Sequence, residues 1–362
     1  MRKKDKPILS FCIPTYNRAD VVTKAVKSIL KYQGDDIEVV VSDNCSIDNT
    51  LEELNKINDK RLKVYSNDKN FGFNYNFLKV LEKSSGEYCF TLSDEDIVLT
   101  DKIFHLINFL KNNNYGLIIS SLKKDDLHNQ ASTTKKDFNL KNYIKDILRP
   151  IYHLVKYGEV RYKKGYYNYY SQNIYSKIET IKLIFSRTYL TGLVIKKELI
   201  DINKLLSKEV DFYPQVRLML LINEESETFF TKEPYAIVNS KSLFSYSEEE
   251  GKNKVLIYAH PSSRFLQMKT RFTWLEDLNL DYKEKRILFS FLFTQFINAS
   301  LSGYEKFVSQ AEKKLSEKEL KRESRFFLKM SKKMEKKVKD NEKYREELIK
   351  LGKDFLDHII YR

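Results

Sequence analysis

Over its first 120 residues the chain alternates between two hydrophobic periods, and this alternation limits what it can fold into. Ile8–Ile13 is a short apolar run that reads as a buried strand, and Asp20–Tyr32 follows with Val22, Ala25, Val26 and Ile29 at helical spacing. The β-branched stretch Ile37–Val41 reads as a second strand and stops at the turn-rich Ser42-Asp43-Asn44-Cys45-Ser46. Leu51–Ile57 then predicts a helix, Leu62–Tyr65 a strand, Phe73–Lys83 a helix, Glu87–Leu92 a strand, Asp101–Asn112 a helix and Gly116–Ser120 a strand. Strands alternating with helices impose right-handed crossovers, so the expected class is α/β, a mostly parallel sheet flanked by helices. Such sheets bind ligands at the carboxyl ends of their strands. Pro14-Thr15, Asp43-Asn44 and Asp94-Glu95-Asp96 each follow a strand, so three polar clusters are expected to converge on one edge.

Past residue 120 the pattern changes. Residues 123–146 are polar and read as a loop with a short helix. Eight tyrosines fall between Tyr152 and Tyr175, interleaved with Arg161, Lys163 and Lys164; Thr191–Ile195 reads as a strand and Pro214–Ile222 as a helix. From about 252 onward the chain reads as helical. Phe327, Met330, Met334 and Val338, then Tyr344, Leu348, Leu351, Phe355 and Ile359, recur every three or four residues with Lys and Glu between them. Three regions follow: 1–120, 121–250 and a helical 251–362.

Charge divides along the same line. The net formal charge is +14, yet residues 1–120 carry 17 basic and 17 acidic side chains, so the whole surplus lies beyond them. Region 305–362 alone holds 18 basic against 12 acidic residues, the composition of a solvated helix pair or of a surface that meets an anionic membrane or a second subunit. Three cysteines, Cys12, Cys45 and Cys89, without CxxC spacing exclude a disulfide framework or a zinc site, and point to a reducing compartment. The apolar run after the basic N-terminus ends by Pro14, too short for a secretory signal, and no stretch reaches the roughly 18 apolar residues of a membrane span. The expected location is cytoplasmic or peripheral on the inner face of the membrane.

The chemistry concentrates at the strand ends. Three consecutive carboxylates in Ser93-Asp94-Glu95-Asp96 repel one another, a cost that a hard divalent cation with oxygen ligands would offset. The competing reading is a solvated turn with Asp96 capping the next helix. Asp43 is placed either to accept hydrogen bonds from a base or ribose, or to shape the turn that follows it or cap a helix there. Thr15-Tyr16-Asn17-Arg18 offers a hydroxyl, a ring for stacking and a guanidinium for phosphate, with Asn17 an alternative helix cap. His105 and His153 are lone histidines and read as structural.

Taken together, Pro14-Thr15-Tyr16-Asn17-Arg18, Val41–Thr50, Asn70-Phe71-Gly72 with Asn74 and Asn76, and Ser85-Gly86-Glu87-Tyr88 leading into Leu92–Asp96 resemble the family 2 glycosyltransferases over roughly residues 8–120. The resemblance implies a GT-A, Rossmann-like fold and inverting, metal-dependent transfer from a nucleotide-sugar, with a UDP-sugar expected. It implies that Pro14, Thr15, Tyr16 and Arg18 line the nucleotide pocket, that Asp43 binds the base and that Asn70 and Gly72 border the nucleotide-sugar. It places Asp94 near ribose or sugar with Glu95 beside it, and gives Asp96 the divalent metal, Mn2+ or Mg2+. Asp211, in Glu209-Val210-Asp211-Phe212-Tyr213-Pro214, is the expected catalytic base; the adjacent Glu-Asp pair of many relatives is missing, so Glu209 competes, and capping the following helix is the alternative for Asp211. The expected acceptor is a cell-surface glycan, teichoic-acid-like or lipid-linked. Tyr152–Tyr175 would serve as acceptor surface or as a tyrosine-rich core. A nucleotidyltransferase is the rival enzyme, disfavoured by the lack of a Gly-rich phosphate loop with a lysine after the first strand. A basic nucleic-acid-binding protein is the rival outside catalysis; no helix-turn-helix, zinc or ribonucleoprotein signature accompanies the charge, so no nucleic-acid partner is expected.

Overall fold

A computed structural model of the chain describes residues 6–124, 175–207, 213–238 and separate positions between 267 and 295. The first strands, β1 (Leu9–Thr15) and β2 (Ile37–Asp43), are buried along their entire length. That is why their sequences read as unbroken apolar runs: a parallel strand covered on both faces has no solvent side on which to alternate. Helix α1 (Ala19–Leu30) connects them and buries Val22, Ala25, Val26 and Ile29, the residues that share its apolar stripe. The chain continues through α2 (Thr50–Asn55), the half-buried edge strand β3 (Leu62–Ser66), α3 (Phe73–Lys83) and β4 (Tyr88–Thr91). After β4 come a two-residue strand β5 (Ile97–Val98), α4 (Thr100–Asn112), β6 (Leu117–Lys124), α5 (Lys177–Ser186) and β7 (Leu193–Lys196). Short α6 (Ile202–Leu206), α7 (Pro214–Glu225) and β8 (Thr228–Val238) follow.

The strands form one sheet in the order β3-β2-β1-β4-β7-β6-β8-β5. The β3-β2-β1-β4 half is wholly parallel, as the alternation requires, while β7 runs antiparallel to both β4 and β6. Strand β1 lies between β2 and β4, so the direction of winding reverses beside it, and this reversal opens a crevice at the carboxyl ends. One face of the sheet packs on α3, α5, α7 and Trp274, through residues such as Phe77, Ile184 and Val216; the other packs on α1 and α4 through Val26, Ile29, Ile103 and Leu106. Cys12 and Cys89 are buried in the first of these cores, and all three cysteines are free thiols. Helix boundaries agree with the apolar periodicity to within two residues for α1–α4, with the exact span found for α3. Sequence reading passed over β5, α5, α6 and β8.

The end of the sheet away from the crevice is fixed by a buried carboxylate. Glu38, 2% exposed, accepts from the Ser10 hydroxyl at 2.6 Å and the Ser85 hydroxyl at 2.8 Å, from the Gly86 amide at 3.2 Å, and from the Lys63 ammonium. Gly86 is required there, because a Cβ would lie 2.5 Å from Ser10 Oγ and 2.8 Å from its backbone nitrogen. Burial alone would raise the Glu38 carboxyl; the hydrogen bonds from Lys63, Ser10 and Ser85 outweigh it and hold the carboxyl below its ordinary value. A carboxyl lowered by folding stabilises the native state above its unfolded value and loses that contribution as the pH falls through its folded value. Glu38→Gln is therefore expected to destabilise the protein by about 3 kcal/mol at neutral pH, and less at about pH 3. Denaturant unfolding of both proteins at the two pH values checks this.

Candidate functional site

The strand register sets three polar side chains in a row: Thr15 on β1 stands beside Asp43 on β2, and Asp43 beside Ser66 on β3. Asp43 is fully buried. Its carboxylate accepts from the Ser46 amide at 3.0 Å, the Ser66 hydroxyl at 3.2 Å and the Ser46 hydroxyl. Helix α2 is preceded by Asn49, so Asp43 shapes the Asp43–Ser46 turn and is not a helix cap. The loops after β1 and β2 are stitched together: the Asn17 amide donates to Ser46 Oγ and the Ile47 amide to Asn17 Oδ1, both at 2.8 Å, and the Arg18 amide donates to Thr50 Oγ1 at 3.0 Å. Asn17 and Cys45 adopt positive φ of 52° and 62° to make these turns. Asn17 thus braces the second loop, while Arg18 occupies the cap position of α1. Tyr16 projects to solvent from the same loop, and Pro14 is buried behind it.

A strut from α3 ties the strand ends together. Asn76, 2% exposed, donates to the Ser42 carbonyl at 2.8 Å and the Thr15 carbonyl at 3.2 Å, and accepts from Ser42 Oγ at 2.7 Å. Next to it, Asn44 donates to Asn70 Oδ1 at 2.7 Å, and its own carbonyl oxygen accepts from Asn67 at 3.0 Å and from the Phe71 amide at 3.1 Å. Asn70 in turn accepts from the Gly72 amide, and Gly72 turns the chain at φ 84°. Asn70 and Gly72 are thereby held at the same edge as Asp43.

Each carboxylate of the acidic turn has a separate surrounding. Asp94 accepts from Thr15 Oγ1 at 2.8 Å, across the crevice between β1 and β4. Burial pushes its carboxyl up to about 6, assisted by the Glu95 charge and opposed by Arg18 and by the Thr15 hydrogen bond. Glu95 pairs with Arg18 at 2.9 Å, with both side chains largely buried. Asp96 is fully buried and accepts from the Tyr189 hydroxyl at 3.0 and 3.1 Å and from the Thr191 hydroxyl. Helix α4 is preceded by Leu99, so Asp96 does not cap it. The Thr191 hydroxyl also accepts from the Ser93 amide at 2.9 Å, which ties the acidic turn to the segment before β7. Tyr189 escaped the sequence reading because its partner is 93 residues away and nothing in its own neighbourhood marks it.

Gly192, after Thr191, has φ 85°, and a Cβ there would lie 2.5 Å from Ser120 Oγ and 3.2 Å from Arg187 Nη2. Gly192→Ala is expected to destabilise the protein by about 2 kcal/mol, from the positive φ and the crowding together. Thermal unfolding of the variant reads the loss directly.

Thr15, Arg18, Asp43, Asn70, Gly72, Asp94, Glu95 and Asp96 thus gather at one end of the sheet, linked by the hydrogen bonds above. Asp211, Glu209, the tyrosines from Tyr152 to Tyr170, His153 and residues 305–362, where helices are expected, lie outside the described residues. Tyr175 is described, and packs edge-on against Phe230 with centroids 5.2 Å apart, a core position. Among the described residues no group of three or more His, Cys, Asp or Glu side chains is placed to hold a metal alone, and no helix is long and apolar enough to cross a membrane.

The family profile of "Glycosyl transferase family 2" matches residues 10–182, a span that begins in β1 and contains the acidic turn. Residues 10–182 belong to glycosyl transferase family 2. Several curated relatives are glycosyltransferases. The chain is 33% identical to abequosyltransferase RfbV of Salmonella typhimurium over 108 residues, which span 28% of this chain and 32% of that protein. It is 32% identical to the GalNAc(5)-diNAcBac-PP-undecaprenol beta-1,3-glucosyltransferase of Campylobacter jejuni, over 39% of this chain and 45% of that protein. It is also 32% identical to TuaG of Bacillus subtilis, a putative teichuronic acid biosynthesis glycosyltransferase, over 29% and 42%. The aligned region therefore spans less than half of each of these relatives. Among solved structures, S. aureus TarS 1-349 superposes with a TM-score of 0.56 at 15% identity, covering 86% of this chain and 76% of that one. The same protein in complex with UDP-GlcNAc superposes with a TM-score of 0.53. These likenesses establish the GT-A fold for the family 2 region.

Proposed function

We propose that this protein transfers a sugar from a nucleotide-sugar, a UDP-sugar in our reading, to a cell-surface glycan or lipid-linked acceptor, with inversion at the anomeric carbon. The observation that carries the reading is the convergence of Asp43, Thr15–Arg18 and the acidic turn on the crevice at the β1/β4 switch point. In this reading Asp43 accepts hydrogen bonds from the base and Tyr16 stacks on it. Asn70 and Gly72 border the donor, and Asp94 lies near the ribose or the sugar. Arg18, held by Glu95, directs positive charge toward the diphosphate.

The chemistry at Asp96 suits a hard divalent ion. Asp96 offers carboxylate oxygen with the Tyr189 and Thr191 hydroxyls beside it, and Mg2+ or Mn2+ commonly takes one or two protein carboxylates and completes its shell with substrate phosphates and water. Asp96 would hold the ion, which when bound supplies charge neutralisation for the departing nucleoside diphosphate. Tyr189 and Thr191 fix the orientation of that carboxylate. Asp211, with Glu209 as competitor, is the proposed base that takes the proton from the acceptor hydroxyl as its oxygen attacks the anomeric carbon.

The test is a panel of nucleotide-sugars incubated with the purified full chain, with Mn2+, with Mg2+ or with EDTA, while released nucleoside diphosphate is followed. Release from a UDP-sugar that depends on the divalent ion is the expected result. Absence of release with every donor, together with no nucleotide-induced rise in melting temperature, would contradict the reading.

A further inference from the structure

The two hydroxyls on Asp96 meet its carboxylate in different ways. Tyr189 Oη lies 3.1 Å from Oδ1 and 3.0 Å from Oδ2, so it stands between the two oxygens and donates to both. The Thr191 hydroxyl donates to Oδ2 alone. A cation chelated by both oxygens of a carboxylate takes the place between them, and at Asp96 the Tyr189 hydroxyl stands there. The neighbouring carboxylates are committed elsewhere, Asp94 to Thr15 and Glu95 to Arg18, so an ion at the acidic turn is expected to rest on Asp96.

Tyr189 is mounted so that it keeps this place. Before it, the Thr188 carbonyl accepts from the buried Gln215 side chain of α7 at 2.6 Å. After it, the Leu190 carbonyl accepts from the Thr91 hydroxyl at the end of β4, also at 2.6 Å. The Thr191 carbonyl accepts from Arg187 Nη2 at 2.6 Å, and the Gly192 amide donates to the Thr91 carbonyl at 3.1 Å. Backbone on both sides of the ring is therefore fastened to α7 and β4, which are themselves buried in the sheet and its helical cover. Withdrawing the hydroxyl by a backbone shift would break several buried hydrogen bonds, each costly to leave unmade.

We propose that Tyr189 sets the ion selectivity of the site: its hydroxyl keeps Asp96 from chelating through both oxygens, and this favours Mg2+ and Mn2+ over Ca2+. The proposal rests on the metal-dependent glycosyltransferase reading and adds to it the residue that selects the ion. Mg2+ keeps a compact octahedral shell at about 2.0–2.1 Å, and one or two carboxylates with waters and substrate phosphates complete it. Mn2+ shares that octahedral preference for oxygen. Ca2+ gathers about six to eight oxygens at roughly 2.3–2.6 Å and readily takes a carboxylate through both. Where one carboxylate holds the ion, limiting it to one oxygen therefore costs Ca2+ more than it costs the smaller ions. Thr191 touches a single oxygen and leaves the place between the two untouched, so the selectivity belongs to Tyr189.

The test compares the full chain with its Tyr189→Phe variant, which keeps the ring and removes the hydroxyl. Mn2+ binding, with and without UDP, is followed through the electron paramagnetic resonance of unbound manganese, and Mg2+ or Ca2+ is then added to displace the bound ion. From the parent, Mg2+ is expected to displace Mn2+ at lower concentration than Ca2+ does. From Tyr189→Phe, Ca2+ is expected to compete about tenfold more effectively, with Mg2+ unchanged within about twofold. Asp96→Asn is expected to lose Mn2+ binding, and circular dichroism is expected to be the same in all three proteins. A variant in which affinity for every ion falls alike would show that the hydroxyl only orients Asp96, and would overturn the selectivity; so would Ca2+ that competes equally well in both proteins, or Mn2+ retained by Asp96→Asn. A parent that binds no Mn2+ in either condition would overturn the metal reading and the proposal together. Stronger Ca2+ competition in Tyr189→Phe, in a protein whose melting temperature no nucleotide raises, would support the selectivity while contradicting the donor reading.

Discussion

Replacing Asp96 by asparagine is expected to lower sugar transfer about a thousandfold while the protein remains folded, an effect of the size seen when one preorganised electrostatic group is removed from an active site. Asparagine keeps the volume and one oxygen of aspartate, and the Tyr189 and Thr191 hydroxyls that now donate to the carboxylate can turn and accept from an amide. The stability loss should therefore be no more than about 1–2 kcal/mol. The negative charge does not survive, and it is the charge that would hold a divalent ion against the diphosphate. The measurement is kcat/KM from released nucleoside diphosphate, with circular dichroism as the control for folding. A variant that retains transfer within a fewfold of the parent would remove Asp96 from the proposed mechanism.

The second large effect is expected at Asp43, on binding. Asp43→Asn should weaken UDP by about a hundredfold in a calorimetric titration, the size expected when a charged hydrogen-bond partner is lost from a buried site. Both carboxylate oxygens are already engaged, by Ser46 and Ser66, and the lone pairs left at the strand edge are the ones available to a base N–H. An amide aims N–H groups where the Ser46 N–H already points, so the variant loses either the turn or the base contact. Ser46→Ala separates the two. It loosens the turn and leaves the carboxylate intact, and should weaken UDP by no more than about tenfold. Equal losses in the two variants would mean that Asp43 acts only through the loop.

What could be read from sequence follows from where each interaction lies along the chain. Strands β1 and β2 and helices α1 and α3 were legible because each signals its burial within a dozen residues, by an unbroken apolar run or a stripe at helical spacing. The polar strand ends were legible for the same reason: Asp43 and Asp94–Asp96 interrupt apolar runs abruptly. Strand β5 was missed because two residues carry no period; its pairing with β8 comes from Ile237 and Ala236, about 140 residues distant. The antiparallel insertion of β7 beside β4 was hidden likewise, since Leu193–Lys196 reads the same in either direction. Residues with several plausible local roles were decided only by tertiary contacts. Asn17 and Asp96 both suit a helix cap, yet Asn17 reaches the Ile47 amide and Asp96 the Tyr189 and Thr191 hydroxyls. Asn76 sits in an ordinary helical pattern, and nothing there reveals that it fastens the ends of β1 and β2.

The charge asymmetry of the sequence acquires a local meaning at the site. Four of the seventeen acidic side chains of the balanced first region, Asp43, Asp94, Glu95 and Asp96, stand at the crevice, where Arg18 partners Glu95, while Lys63 meets Glu38 at the opposite end of the sheet.

The central claim is that the crevice at the ends of β1, β2 and β4 receives a nucleotide-sugar. Crystals of the full chain grown with a UDP-sugar and Mn2+ test it most directly. The account predicts uracil beside Asp43 and Tyr16, and an anomalous manganese peak between the diphosphate and Asp96. A nucleotide bound elsewhere on the protein, or a crevice without nucleotide at saturating donor, would contradict it.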